Sequence, residues 1–412
     1  MHFLVVRTQK TAAEKIFSEK SGMDAHSGEY VWAVPDLVYM HDVLGPSSIK
    51  ALREISGGKT RYKGRVIVVN DHIFPPKDIE SSNNIKNMNE TSESEGWETI
   101  PFGEGIEHTL LIENGIIKPG MLVVGTDSHT VTAGAAGAMG VGLGSTDIGS
   151  LLAMGKQWFK VPETILLNVY GRKGKYITGK DLILMVLKDI GVNGANYASM
   201  EFHLQKDTSF NMDDDLSIAN MTVEAGAKTC IVKNSSILES NEFPESDAGS
   251  EYTEKQYDIS ELEPQISMPY SPGNVTDARE LEGTEVNQVY IGNCSNGTIS
   301  DLREAASVLK GRRVKKDVKM IIIPATRKIF KQAISEGLID IFIDSGATVG
   351  PSTCGACAGL HMGVLAENEV CITNINRNFR GRMGHPTSKV YLANSYVSAE
   401  SAVKGYIHVP GE

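Results

Sequence analysis

At 412 residues the chain has room for two or three domains of about 150 residues each and for a core that needs no disulfide support. Hydrophobic residues at 41% and charged residues at 22% exclude a disordered or fibrous polymer, while the 41 glycines exceed the usual share of ~7% and mark tight turns or backbone held close to a ligand. A formal net charge of −11 excludes general attraction to nucleic acid or anionic membranes and leaves small molecules or proteins as partners.

The N-terminal run Met1-His2-Phe3-Leu4-Val5-Val6-Arg7 is apolar but has neither a basic segment ahead of it nor a small-residue cleavage site behind it. No secretory signal is expected. The run from Ala133 to Gly144 is too short and too glycine-rich to span a membrane, so a soluble chain is expected, and the odd number of cysteines without an export signal makes the cytoplasm the expected compartment. Short β-branched runs then recur ahead of polar or glycine-rich loops: Val66-Ile67-Val68-Val69 before Asn70-Asp71-His72, Leu122-Val123-Val124 before Gly125-Thr126-Asp127-Ser128-His129, and Ile321-Ile322-Ile323 before Pro324. Such runs are the pattern of buried parallel strands. Helical periodicity lies between them, as from Asp301 to Leu309, where Asp301 complements the helix N-terminus. The fold class is therefore α/β, with functional groups expected at the carboxyl ends of strands. The acidic stretch 239–264 reads as a solvated loop or connector without metal-ligand spacing, and a boundary falls near Gly283.

Four of the ten histidines sit in small clusters with a carboxylate: His41-Asp42, Asp71-His72, Glu107-His108 and Asp127-Ser128-His129. A carboxylate bonded to an imidazole fixes its tautomer and raises its basicity, which suits a general acid. A lone Asp-His pair is more often a surface or capping pair, but repetition at strand ends favours chemistry. The five cysteines, an odd number, argue against a disulfide framework. Cys354 and Cys357 form a C-x-x-C that alone is open among a redox pair, half a zinc site, part of an iron-sulfur site and two small residues in a turn. Cys294, in a Gly/Asn/Ser loop behind Val289-Tyr290-Ile291, favours metal or cluster binding. Arg377, Arg380 and Arg382 crowd behind Asn376, and guanidinium forks suit a di- or tricarboxylate, the plainer reading being a basic surface loop.

The strings GTDSHT, IGNCSNG, CGAC and NINRNFRGRMG, in this order over essentially the whole chain, resemble the aconitase superfamily and within it the large subunits of 3-isopropylmalate dehydratase and homoaconitase. The resemblance implies a hydro-lyase that isomerises a 2-hydroxy acid by dehydration and rehydration at a [4Fe-4S] cluster. It implies three α/β domains around that cluster, over 1–162, 163–283 and 284–412, with no swivel domain. Cys294, Cys354 and Cys357 would hold three irons and leave the fourth open. Asp71 and His72 would protonate the departing hydroxyl, supported by His108 with Asp127 and by His129 with Glu201. His41 and Ser128 would line the pocket, and Arg377 and Arg382, beside Asn376, would clamp a substrate carboxylate. Leu44, Asn293, Thr298, Ala356 and Asn374-Ile375 depart from the usual pattern and bear on the substrate pocket. A Gly-Ser-Ser-Arg-like motif for the serine base is not found, so the resemblance implies a separate small subunit that carries it. Homoaconitate, citramalate-like and dimethylmalate substrates are the alternatives within the class. A non-catalytic metal-binding or regulatory protein on the same scaffold is the alternative outside it.

Overall fold

The computed structural model describes residues 9–235 and 243–411; the apolar run at 1–7 and the start of the acidic stretch, 239–242, lie outside the described residues. The expected β-branched runs form parallel strands. A five-stranded sheet takes Glu98–Thr99, Arg65–Val69, Leu37–His41, Leu122–Gly125 and Met139–Gly142 in that spatial order, all parallel. A four-stranded parallel sheet orders Thr229–Asn234, Ser199–Leu204, Thr164–Tyr170 and Thr253–Asp258. In a seven-stranded sheet Gln288–Gly292 is flanked by Lys319–Ile323 on one side and Val370–Thr373 on the other.

Two of these sheets reverse their strand order in the middle. In the first, the chain winds outward from Leu37–His41 through Arg65–Val69, then returns to lay Leu122–Gly125 on the opposite side. In the third, Gln288–Gly292 is followed outward by Lys319–Ile323, and Val370–Thr373 returns to its other edge. At such a reversal the loops leaving the two central strands diverge and open a crevice at the carboxyl ends. His41 and the loop carrying Asp127 leave the first reversal; Cys294 and the loop carrying Asn376 leave the third-sheet reversal.

The sheets share cores. One buried cluster runs from Leu167, Phe202 and Ile218 to Tyr290, Cys357 and Met383, so the second and third sheets are packed into each other rather than strung on a linker. The first sheet reaches the third through backbone: Ile106 N donates to Ala325 O at 2.9 Å, and Cys354 N donates to Asp71 O at 2.9 Å. The expected helix over 301–309 is Ile299–Leu309, with Thr298 and Asp301 closing a reciprocal cap. Thr298, one of the departures noted above, therefore has a structural task.

One expectation is corrected, and strand pairing reaches across a second. The acidic stretch is not all loop: Thr253–Asp258 pairs in register with Thr164–Tyr170. Its position at the sheet edge leaves most of its side chains in water, so a polar sequence can still form a strand. The boundary near Gly283 is preceded by Gln265–Ser267 and Val275–Asp277, which already pair into the third sheet.

Gly292 closes the central strand of the third sheet at φ 124°, and a Cβ there would lie 1.9 Å from Ile323 O. No rotation of a side chain relieves a backbone clash of that kind. Gly292→Ala should therefore push apart the strand ends that carry Cys294, lowering the midpoint in thermal unfolding by several degrees; a wild-type midpoint would contradict this close packing.

Candidate active site

Asp127 follows the strand Leu122–Gly125 and caps the turn Ser128–Ala136. Its Oδ1 accepts from His129 N at 2.7 Å and lies 3.0 Å from His129 Nδ1 and 3.2 Å from His108 Nε2. Its Oδ2 is 3.6 Å from His72 Nε2. Burial favours the neutral acid, but the bonds to His108, His129 and His72 overcome this and hold Asp127 well below the usual carboxylate range.

His72 is held from its other side by Asp71, whose Oδ1 is 2.7 Å from Nδ1. Burial opposes charge on His72, yet Asp71 first, with further help from Asp127, raises it well above the ordinary histidine value. Asp42 accepts the backbone N–H groups of His72 and Ile73, both at 3.0 Å, which fixes the loop after Arg65–Val69; burial and then Asp71 push Asp42 up to about 7. The His41 ring stacks on His72 at 4.0 Å, and burial followed by the neighbouring His72 brings His41 down to about 3, so it stays neutral. His108, with Tyr39 Oη 2.9 Å from its Nδ1, is likewise lowered by burial. Of His41, His72 and His108, His72 is the one set up to carry a proton at neutral pH.

Across the crevice lie the cysteines. Cys294 Sγ receives Asn220 Nδ2 at 3.2 Å and Asn376 Nδ2 at 3.6 Å, while Asn376 also donates to Asn220 Oδ1 at 3.0 Å. Cys357 Sγ faces Asn293 Nδ2 at 3.7 Å and Arg382 Nη2 at 3.9 Å. The bond from Cys354, and then Arg382, keep Cys357 well below the usual thiol range despite its burial. Ligating atoms of Cys294, His108 and His129 lie within 4.8 Å of one another, so the thiols and the Asp127 histidines form one site. Donors converging on sulfur suit thiolate ligands of a metal or cluster, and Arg382 Nε is buried without a partner. The donor set thus fits the expected group.

Asn376 and Arg377 follow Val370–Thr373, and Arg377 Nε donates to Glu224 Oε1 at 2.6 Å. The same Glu224 oxygen is 3.2 Å from His129 Nε2. This corrects the expected pairing of His129 with Glu201. Glu201 lies in Ser199–Leu204, where it accepts from Ser246 N at 2.9 Å and Ser246 Oγ at 2.6 Å and meets His203 Nε2 at 2.8 Å. Its strand aims it at the segment around Ser246, away from His129. Ser128 is half-buried at the start of the turn behind Asp127.

Arg380 stacks over the Tyr270 ring at 4.3 Å, outside the site, consistent with a surface role. Cys230 and Cys371 are buried within strands, and burial pushes the Cys230 thiol up to about 12. Sequence reasoning overlooked Asn220 and Glu224. The signal was available: Asn220-Met221-Thr222-Val223-Glu224 places an amide and a carboxylate one helical turn apart. Glu107, paired with His108 in sequence, is buried 3.7 Å from His108 Nε2 with neither carboxyl oxygen hydrogen-bonded, and is raised well above the usual range by burial and then by Asp71.

Residues 14–240 and 274–405 match the aconitase family (aconitate hydratase). The chain belongs to the aconitase family. It is 47% identical to 3-isopropylmalate dehydratase large subunit 2 of Rubrobacter xylanophilus, with 97% of each chain covered. It is 45% identical to the 3-isopropylmalate dehydratase large subunit of Thermodesulfovibrio yellowstonii, over 98% of this chain and 99% of that one. Among solved structures, Thermococcus kodakaraensis aconitase X in its holo-form shares the fold at a TM-score of 0.54 and 14% identity, covering 97% of this chain and 93% of that one. The expected family and α/β fold both hold, and the family implies an iron-sulfur cluster. No helix among the described residues is long and apolar enough to cross a membrane.

The corrected pairing is directly testable. Glu224→Gln removes the charge that aligns both His129 and Arg377 and should cost turnover about ten- to a hundredfold. Glu201→Gln should leave turnover within about twofold while loosening the segment around Ser246. Steady-state kinetics on the two variants decide it, and the reverse ranking would restore Glu201 to the site.

Proposed function

We propose that this chain is the large, catalytic subunit of a 3-isopropylmalate dehydratase, a hydro-lyase that isomerises its substrate by dehydration and rehydration. The observation that supports it best is the convergence of His72, held between Asp71 and Asp127, with a cysteine cluster in which the Cys294 and Cys357 sulfurs meet amide and guanidinium donors. Cys294, Cys354 and Cys357 would hold three irons of a [4Fe-4S] cluster. The cluster, when bound, supplies a Lewis-acidic iron for the substrate hydroxyl and carboxylate.

This chain's own residues then have separate tasks. His72 holds a proton at Nε2, with Asp71 on Nδ1 fixing the ring, and delivers it to the departing hydroxyl so that water leaves. His108, His129 and Asp127 keep that ring in place and share the charge left behind. Arg382, whose Nε has no protein partner, and Arg377, held only at Nε, offer donors to a substrate carboxylate. Asn376 stays on the cysteine side, and His41 and Ser128 line the pocket.

The dehydration also removes a carbon-bound proton, which needs a base. A small subunit carrying the serine, in a cytoplasmic heteromer, is the partner this reading requires. We read the chain as three units around the site, 1–162, 163–283 and 284–412, with the two strands before residue 284 lending edges to the third.

Co-expressed with such a small subunit and reconstituted anaerobically, the chain should interconvert 3-isopropylmalate and its isomer and show a broad visible absorption. His72→Ala should lower kcat by about 10²–10⁴ with that absorption unchanged. Zinc uptake without iron, or full turnover by the large subunit alone, would overturn the reading.

The pH dependence has a defined sign. Dehydration needs His72 protonated, and its raised value keeps it so through neutral pH, so kcat should fall on the alkaline side. Asp71→Asn removes the main group raising His72, and the alkaline limb of the kcat profile should move to lower pH; an unmoved limb would assign it to another group.

A further inference from the structure

Lys180 is fully buried, yet neither the fold nor the chemistry above accounts for it. It lies in the first turn of Gly179–Ile190, where the helix dipole disfavours a cation. Among the described residues no carboxylate forms an ion pair with it. Its Nζ donates to Ile375 O at 3.1 Å and contacts Met221 Sδ at 3.0 Å. The nearby acids are occupied elsewhere. Asp181 accepts from Thr178, Gln265 and Asn394, and Asp301 accepts from Thr298, Asn296 and Ser395.

The two contacts of Lys180 are informative because of their chain neighbours. Met221 follows Asn220, and Ile375 precedes Asn376, and these are the two amides that donate to Cys294 Sγ. Lys180 therefore clasps, from behind, the pair of elements that present hydrogen bonds to one proposed cluster ligand. A buried ammonium without a carboxylate is costly to keep. Asp301 offsets part of it through space, and in front of the asparagines lie Cys294 and Cys357, which would carry negative charge as ligands of the proposed cluster.

We infer that Lys180 is a positioning and charge-balancing residue for the cluster, holding Asn220 and Asn376 on Cys294 and offsetting the negative charge of the thiolate-bound group. Burial lowers its ammonium to about 8, with Asp301 and then Cys294 and Cys357 pulling it back, so it remains charged at neutral pH. The inference rests on the cluster reading made above. Net charge and hydrogen bonds to sulfur are the protein's main controls on the potential of such a group. A cation behind the ligands favours the reduced, more negative state and resists oxidative loss of iron.

The test compares wild type, Lys180→Met and Lys180→Gln as full-length chains with the small subunit, before and after anaerobic reconstitution with iron and sulfide. Met keeps the shape and removes the charge; Gln keeps a donor for Ile375 O. Both unloaded variants should unfold at or above the wild-type temperature, because a buried charge is gone. Both loaded variants should show a more negative cluster midpoint potential, by voltammetry, and several-fold faster iron release to a chelator in air. Wild-type potential and release rate in both variants overturn the inference. A wild-type potential in Lys180→Gln alone overturns its charge component. Failure of both unloaded variants to fold makes Lys180 a packing residue and overturns it as well. Failure of the wild type itself to take up iron sinks the cluster reading instead, before any variant is compared.

Discussion

The site is organised around one half-buried carboxylate. Asp127 meets His72, His108 and His129, which arrive from three different segments, and its negative charge is held in place by their ring nitrogens. A carboxylate partly withdrawn from water is costly to ionise unless donors engage it, so the same bonds that ionise it also fix the rings. His72 inherits its proton from this arrangement, being the ring placed between two carboxylates while His41 and His108 are desolvated into neutrality.

That network can form only because two chain reversals face each other. Strand order turns over beside Leu37–His41 in one sheet and beside Gln288–Gly292 in another, and the loops leaving these points carry the acids and the thiols respectively. Backbone bonds such as Cys354 N to Asp71 O make the two halves one unit, so the ligand loop is positioned by the residue that also orients His72. The groups we propose for acid and for metal chemistry are thereby coupled through main chain, which moves less than side chains do.

Departures from the family's usual residues fall into place in the same terms. Asn293 turns its amide to Cys357 Sγ and its Oδ1 to the backbone of Ser295 and Asn296, so it shapes the ligand loop. Thr298 caps a helix, and Asn374 joins Gly292 N to Asn296 O across the strand ends. Each supports the frame of the site. Leu44 is different: it stands exposed after His41-Asp42, at the start of the helix Gly45–Ser56.

Much was legible from local pattern. Parallel strands follow from β-branched runs because burial on both faces demands them, and Asp-His pairs at strand ends and cysteines in polar turns declare their chemistry through residue type alone. Partner choice was not legible. Glu201 and Glu224 are both buried acids, and what separates them is that one sits on a strand facing Ser246 while the other ends a helical turn facing His129 and Arg377. The edge strand Thr253–Asp258 escaped because a strand with water on one flank needs no apolar signature. Lys180, unremarkable in sequence, acquires meaning only from the asparagines it lies behind. The sequence by itself determined which groups could do chemistry and which segments would be strands, because those depend on neighbours a few residues away. The tertiary structure alone decided which acid serves which base and where charge is buried, because distances across 50 to 200 residues of chain are set by packing and leave no trace in local order.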